Sequence, residues 1–172
     1  MLVSSGLIDA MKKQKYHFRS IDPSALANLR KQPTQRYISV CAPDEDVYKR
    51  VCRPQISKGW EKLDETLALL PTFKCPTVIR ITSARGLNMR KVEGYAKLIE
   101  KAKPTYVEAK AYMHVGFSRL RLGYESMPSQ KEIREFSTQL ARETGDNLID
   151  ESIESRVVLL SKLRNSMRLG AG

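Results

Sequence analysis

Apolar residues recur along this chain at two distinct periods, and the alternation between them predicts its elements. Around Tyr37–Ala42, Thr77–Thr82 and Tyr106–Met113 the side chains are β-branched, aromatic or small in short runs, the pattern of strands. From Lys58 to Leu70 the residues Trp60, Leu63, Leu67 and Leu70 recur at three- and four-residue steps, and Val92, Tyr95, Ala96 and Ile99 repeat that spacing after the loop Ser83–Asn88. Each set forms one stripe on a helix, to be buried against a sheet. Pro43-Asp44 introduces a further helix, Glu45 to Cys52, which Arg53-Pro54 ends. Ser129 and Glu132 have the spacing of a capping box for a helix reaching about Glu143, with Gly145 to close it. Leu148–Glu151 and Arg156–Leu160 read as a final strand pair. At the N-terminus, Leu2–Gly6 reads as a short strand, and Asp22-Pro23 opens a helix to about Lys31.

Strands alternating with helices imply an α/β fold with a mostly parallel sheet and helices outside it. In such folds the loops leaving the C-terminal ends of the strands open on one side and carry the ligand sites. Those loops are Ser5-Gly6 onward, Cys41–Pro43, Ser83–Asn88 and the long segment from His114 to Met127.

Length and charge sharpen this picture. At 172 residues, with 41% apolar content and no low-complexity stretch, the sequence reads as one packed unit over residues 1–162 followed by a basic tail, 163–172. Thirty basic against nineteen acidic residues leave a formal charge of +11, which favours polyanions. No membrane span or secretory leader is expected, and the chain reads as cytoplasmic. Cys41, Cys52 and Cys75 form no CxxC pair and an odd count, which points to reduced thiols rather than a disulfide framework. His17 and His114 have no ligand spacing with Cys, Asp or Glu, so no metal site is expected.

The basic residues cluster where ligands would bind. Lys110, His114, Arg119 and Arg121 share a segment without acidic residues, interleaved with Tyr112, Phe117 and Tyr124, and Arg85 lies in a second loop on the same side. Cations beside aromatic faces suit phosphate contact and base stacking, so RNA is the expected partner; the competing reading is a solvated loop with Tyr112 and Phe117 in the core. Glu108 and Lys110 alternate with Val107 and Ala109, which places both on one face of a strand, where they would form a functional pair if turned inward.

Several segments in order carry a family resemblance. They are Pro33–Glu45 (PTQRYISVCAPDE), Cys52-Arg53-Pro54 with Gly59-Trp60-Glu61, Arg80-Ile81-Thr82 leading to Gly86-Leu87-Asn88-Met89, Tyr106–Met113 (YVEAKAYM) with Val115-Gly116 and Ser118, Met127-Pro128-Ser129, and Ser155–Leu160 (SRVVLL). Together they resemble the C-terminal part of the 4-demethylwyosine synthases, radical-SAM enzymes that build the tricyclic wyosine base on tRNA. The resemblance implies a partial (β/α)6 barrel entered mid-barrel. It also implies S-adenosylmethionine (SAM) and [4Fe-4S] clusters as cofactors, and a reaction of pyruvate with a 1-methylguanosine beside the anticodon. It assigns Ser39, Thr82 and Asn88 to the SAM wall, Lys110 to catalysis, and Arg119 and Arg121 to tRNA, which Arg85 and His114 join as RNA-binding candidates from the basic-loop pattern. The cluster-binding CxxxCxxC motif has no counterpart here. Cys41 replaces a usual acidic residue and Ser4-Ser5-Gly6 a usual Thr-Asn-Gly turn. The chain alone is therefore expected to be inactive. Three arrangements fit: a piece of a larger enzyme, a split-enzyme subunit with a separate cluster-bearing N-terminal half, or a non-catalytic RNA-binding remnant.

Overall fold

The computed structural model describes residues 17–19, 23–24 and 34–165. The predicted strand Leu2–Gly6, the tail beyond residue 165 and nearly all of the helix expected after Asp22 lie outside the described residues.

Six strands form one mixed sheet: β1 (His17–Arg19), β2 (Gln35–Ser39), β3 (Thr77–Ser83), β4 (Tyr106–Ala111), β5 (Asn147–Ser152) and β6 (Val157–Ser161). Their order is β1-β2-β3-β4-β6-β5; the first four are parallel, while β6 runs antiparallel to both β4 and β5. The closing hairpin makes the sheet mixed, where the sequence pattern implied mainly parallel pairing. His17–Arg19, which periodicity does not mark as a strand, is the strand beside β2.

Helices join β2 to β3 and β3 to β4, and another follows β4. After β2 come α1 (Glu45–Cys52) and α2 (Gly59–Leu69), after β3 comes α3 (Val92–Ala102), and α4 (Gln130–Thr144) precedes the hairpin. Asp44 caps α1 by accepting from Val47 N at 2.8 Å, and Ser129 with Glu132 forms the expected capping box on α4. Gly145 ends α4 with φ +68°, a left-handed conformation that costs glycine little.

Every second strand residue faces the helices. Ile38, Val40, Ile79, Ile81, Val107, Ala109, Val158 and Leu160 join Leu63, Leu67, Tyr95, Ile99, Ile133, Phe136 and Leu140 in one buried cluster. Tyr95 and Phe136 meet edge-to-face with centroids 5.7 Å apart, locking α3 to α4. Leu98 and Ala102 complete the buried stripe of α3, while Val92 and Ala96 sit at its margin. The alternate residues Tyr37, Ser39, Arg80, Thr82, Glu108 and Lys110 therefore share the opposite face, because strand side chains alternate.

Candidate functional site on the polar sheet face

Register fixes the neighbours on this face. Ser39 stands beside Arg80 and Arg80 beside Glu108; one step further along, Thr82 stands beside Lys110. Arg80 Nη2 donates to Glu108 Oε2 at 2.8 Å, and its guanidinium lies 4.6 Å from the centre of the Tyr37 ring. Burial, then the Glu108 charge, pushes the Tyr37 phenol up, keeping it neutral beside the ion pair. Glu108 is thus paired across strands with Arg80 and not along its own strand with Lys110, which corrects the expected functional pair.

Lys110 is left differently placed. It is half-buried, whereas every other lysine among the described residues is exposed. No ion pair or side-chain hydrogen bond engages it, nor the hydroxyls of Ser39 and Thr82, among the described residues. Thr82 and Lys110 form a short polar row near the strand ends, with Ser39 one step back beside Arg80.

The loops above the row are braced. Asn88, 1% exposed, donates from Nδ2 to Cys41 O at 2.9 Å and to Thr82 O at 2.8 Å, and its Oδ1 accepts from Ala84 N at 2.7 Å. Its side chain, for which a cofactor role was expected, is bonded to backbone and positions the loops after β2 and β3. Lys91 adds an ion pair to Asp44 at 2.6 Å. At Gly94 any Cβ would lie 2.7 Å from Pro43 O, so only glycine lets α3 approach that loop so closely.

Two expected RNA contacts have partners within the chain. Arg85 grips Glu132 with two bonds of 2.6 Å and donates to Glu125 O at 2.7 Å. His114 Nδ1 lies 3.0 Å from Leu122 O, between the rings of Tyr112 and Tyr124. Arg119 and Arg121 remain exposed, with Arg121 donating to Val51 O at 3.0 Å.

Arg85, with the amide of Ser129, holds the Glu132 carboxyl down at about 2. A carboxylate whose folded value lies below its unfolded one stabilises the fold fully above the unfolded range and ceases to as pH falls through the folded value. The melting-temperature gap between the wild type and Glu132→Gln should therefore be constant above about pH 5 and close between about pH 4.5 and 2. A gap independent of pH in that window would show that the charge is not what holds the clamp.

The cysteines do not prepare a cluster site. Contact with Cys41, then burial, pushes the Cys52 thiol far up, and burial pushes Cys75 up. No three His, Cys, Asp or Glu side chains are grouped to hold a metal among the described residues. No grouping of side chains among the described residues fits a [4Fe-4S] cluster.

Comparison with known proteins accounts for this arrangement. Residues 101–162, from the end of α3 through β6, match the family model described as wyosine base formation. Over 133 residues the chain is 47% identical to the S-adenosyl-L-methionine-dependent tRNA 4-demethylwyosine synthase of Pyrococcus abyssi, covering 77% of this chain and 39% of that protein. The chain is similar to part of a tRNA 4-demethylwyosine synthase. A solved structure of TYW1 with a lysine-pyruvate adduct bound superposes with a TM-score of 0.80 at 34% identity, over 91% of this chain and 51% of that one. Coproporphyrinogen III oxidase from Escherichia coli, a radical-SAM enzyme, shares only the fold, at 12% identity and a TM-score of 0.54 over 92% of this chain and 40% of that one. The chain thus spans about two fifths of the length of the curated synthase it matches. No helix among the described residues is long and apolar enough to cross a membrane.

Proposed function

We propose that this chain is the substrate-facing part of a tRNA 4-demethylwyosine synthase, its sheet forming part of a (β/α)6 barrel whose iron–sulfur half is a separate stretch of polypeptide. In this reading the polar face is the barrel interior, Ser39 and Thr82 line the side that takes SAM, and Arg119 and Arg121 meet tRNA phosphates. The observation that carries it is Lys110, a half-buried cation that no side chain pairs among the described residues, with the Thr82 hydroxyl beside it on the next strand. A buried ammonium is costly unless something anionic completes it, and a keto-acid carboxylate supplies that charge. Pyruvate enters because the matched TYW1 structure holds a lysine-pyruvate adduct. Lys110 is assigned the role of gripping the pyruvate carboxylate. The lyase activity of the whole enzyme needs the cluster half, so this chain by itself is assigned binding without turnover.

Carbon-13 pyruvate titrations followed by NMR test this. Lys110→Ala should weaken binding about 10- to 100-fold, in line with a charge-assisted hydrogen bond of about 1.5–3 kcal/mol, and Lys110→Arg should recover most of it. Wild-type affinity in Lys110→Ala would remove the assignment. A borohydride-trapped adduct on Lys110 would replace the ion pair with an imine. RNA binding without any SAM or pyruvate binding would favour a non-catalytic RNA-binding remnant.

A further inference from the structure

The loop that leaves β4 holds large apolar side chains out in water by design of its hydrogen bonds. Phe117 is 88% exposed and Leu120 83%, with Val115 and Tyr124 also exposed. Such exposure is ordinary in a floppy loop, but this one is braced at many points. The buried Tyr112 hydroxyl lies 3.0 Å from Ser118 O and 2.9 Å from Leu122 O; Ser118 Oγ donates to Met113 O at 2.7 Å. A turn of 3₁₀ helix, Gly116–Leu120, carries Phe117 at its start. Arg121 ties one side of the loop to α1, and the Arg85 main-chain amide, donating to Ser126 O at 2.9 Å, ties the other to β3.

A braced, solvated phenyl ring on a loop that also carries two exposed arginines has a limited set of suitable partners. A protein surface would need an extended apolar patch, whereas Phe117 and Leu120 stand beside Arg119 and Arg121 with no acidic residue from Lys110 through Tyr124. That combination matches a nucleobase face with its flanking phosphates. The loop also springs from the strand that carries Lys110, so a base held there is led to the same end of the sheet.

We propose that Phe117 is a preformed stacking platform for an unpaired nucleobase, with Leu120 packing against its edge and Arg119 and Arg121 holding the adjacent phosphates. This rests on the tRNA reading above and goes beyond it by naming the group that selects looped over paired RNA.

The test uses the full chain and two RNAs, a stem with a seven-nucleotide open loop and the same stem as a continuous duplex. Binding is followed across a salt series. The wild type should prefer the looped RNA. Phe117→Ala should weaken that complex about 5- to 100-fold, as expected for loss of one base stack, while Phe117→Trp retains it. The salt slope should stay unchanged in Phe117→Ala and fall in the Arg119→Ala, Arg121→Ala double variant. Equal affinity of wild type and Phe117→Ala for looped RNA, with wild type binding it, overturns the platform and leaves the tRNA reading intact. No binding of either RNA by the wild type overturns both. A change in self-association of Phe117→Ala without any change in RNA affinity would assign the patch to a protein contact and reject the platform. Phe117 is almost fully exposed, so its variants should melt with the wild type.

Discussion

Asn88→Ala should lower the free energy of unfolding by about 3–4 kcal/mol, a large fraction of the stability of a domain this size. The side chain is fully enclosed, and its loss strands two carbonyls, of Cys41 and Thr82, and one amide, of Ala84. Each buried polar group left without a partner costs about 1–3 kcal/mol, and local relaxation recovers part of the sum. Asn88→Asp separates hydrogen bonding from volume. It fills nearly the same space but turns two donors into an acceptor facing two carbonyl oxygens, so at neutral pH it should cost at least as much as alanine. Urea unfolding read by circular dichroism measures both. A loss below about 1 kcal/mol for Asn88→Ala, or an Asn88→Asp protein as stable as wild type, would refute the brace. Because Asn88 joins the loops after β2 and β3, the alanine variant should also weaken pyruvate binding at Lys110 without touching that residue.

Much of the fold was legible because its signals are local. Glu45–Cys52, the Ser129–Glu132 capping box and Gly145 stand where the sequence pattern puts them, since a cap and its helix lie within a few residues of one another. The β2 ladder begins at Gln35 rather than Tyr37, for Gln35 and Arg36 are polar residues buried at a strand start, which hydrophobic periodicity passes over. The His17–Arg19 strand is three residues long and carries no apolar run.

The site was legible in outline and wrong in its pairings. Asn88, Arg85 and His114 have the composition and loop positions of ligand-binding residues, yet each is consumed by a partner that sequence spacing does not reveal: Cys41 is 47 residues from Asn88, and Glu132 is 47 from Arg85. Glu108 and Lys110 looked like partners because they share a strand face. Two residues along a strand is about 6.6 Å, whereas a residue on the next strand is about 4.8 Å away, so the cross-strand Arg80 wins the carboxylate. Phe117, whose place in the core or in solvent periodicity left open, is in solvent.

That competition for Glu108 supplies a second large effect. Arg80→Leu should cost about 2–4 kcal/mol, because Glu108, with its side chain only 10% exposed, loses its cationic partner and Tyr37 loses the guanidinium over its ring. The double variant Arg80→Leu, Glu108→Leu should recover most of that loss. Replacing a buried ion pair by apolar side chains is often near neutral, while removing one partner strands a charge. The same cycle reads the site. In the single variant the stranded carboxylate shares its face with the Lys110 ammonium two residues on. A Lys110 engaged by Glu108 is no longer open to pyruvate, so the single variant should bind the keto acid at least about 10-fold more weakly, and the double variant should regain affinity along with stability. If pyruvate affinity stays low in the double variant although its stability returns, Arg80 contributes to the ligand directly instead of by holding Glu108 away. If the single variant binds pyruvate normally, Lys110 is not the group that grips it. By occupying Glu108, Arg80 should thus keep the one half-buried lysine among the described residues open to an anion.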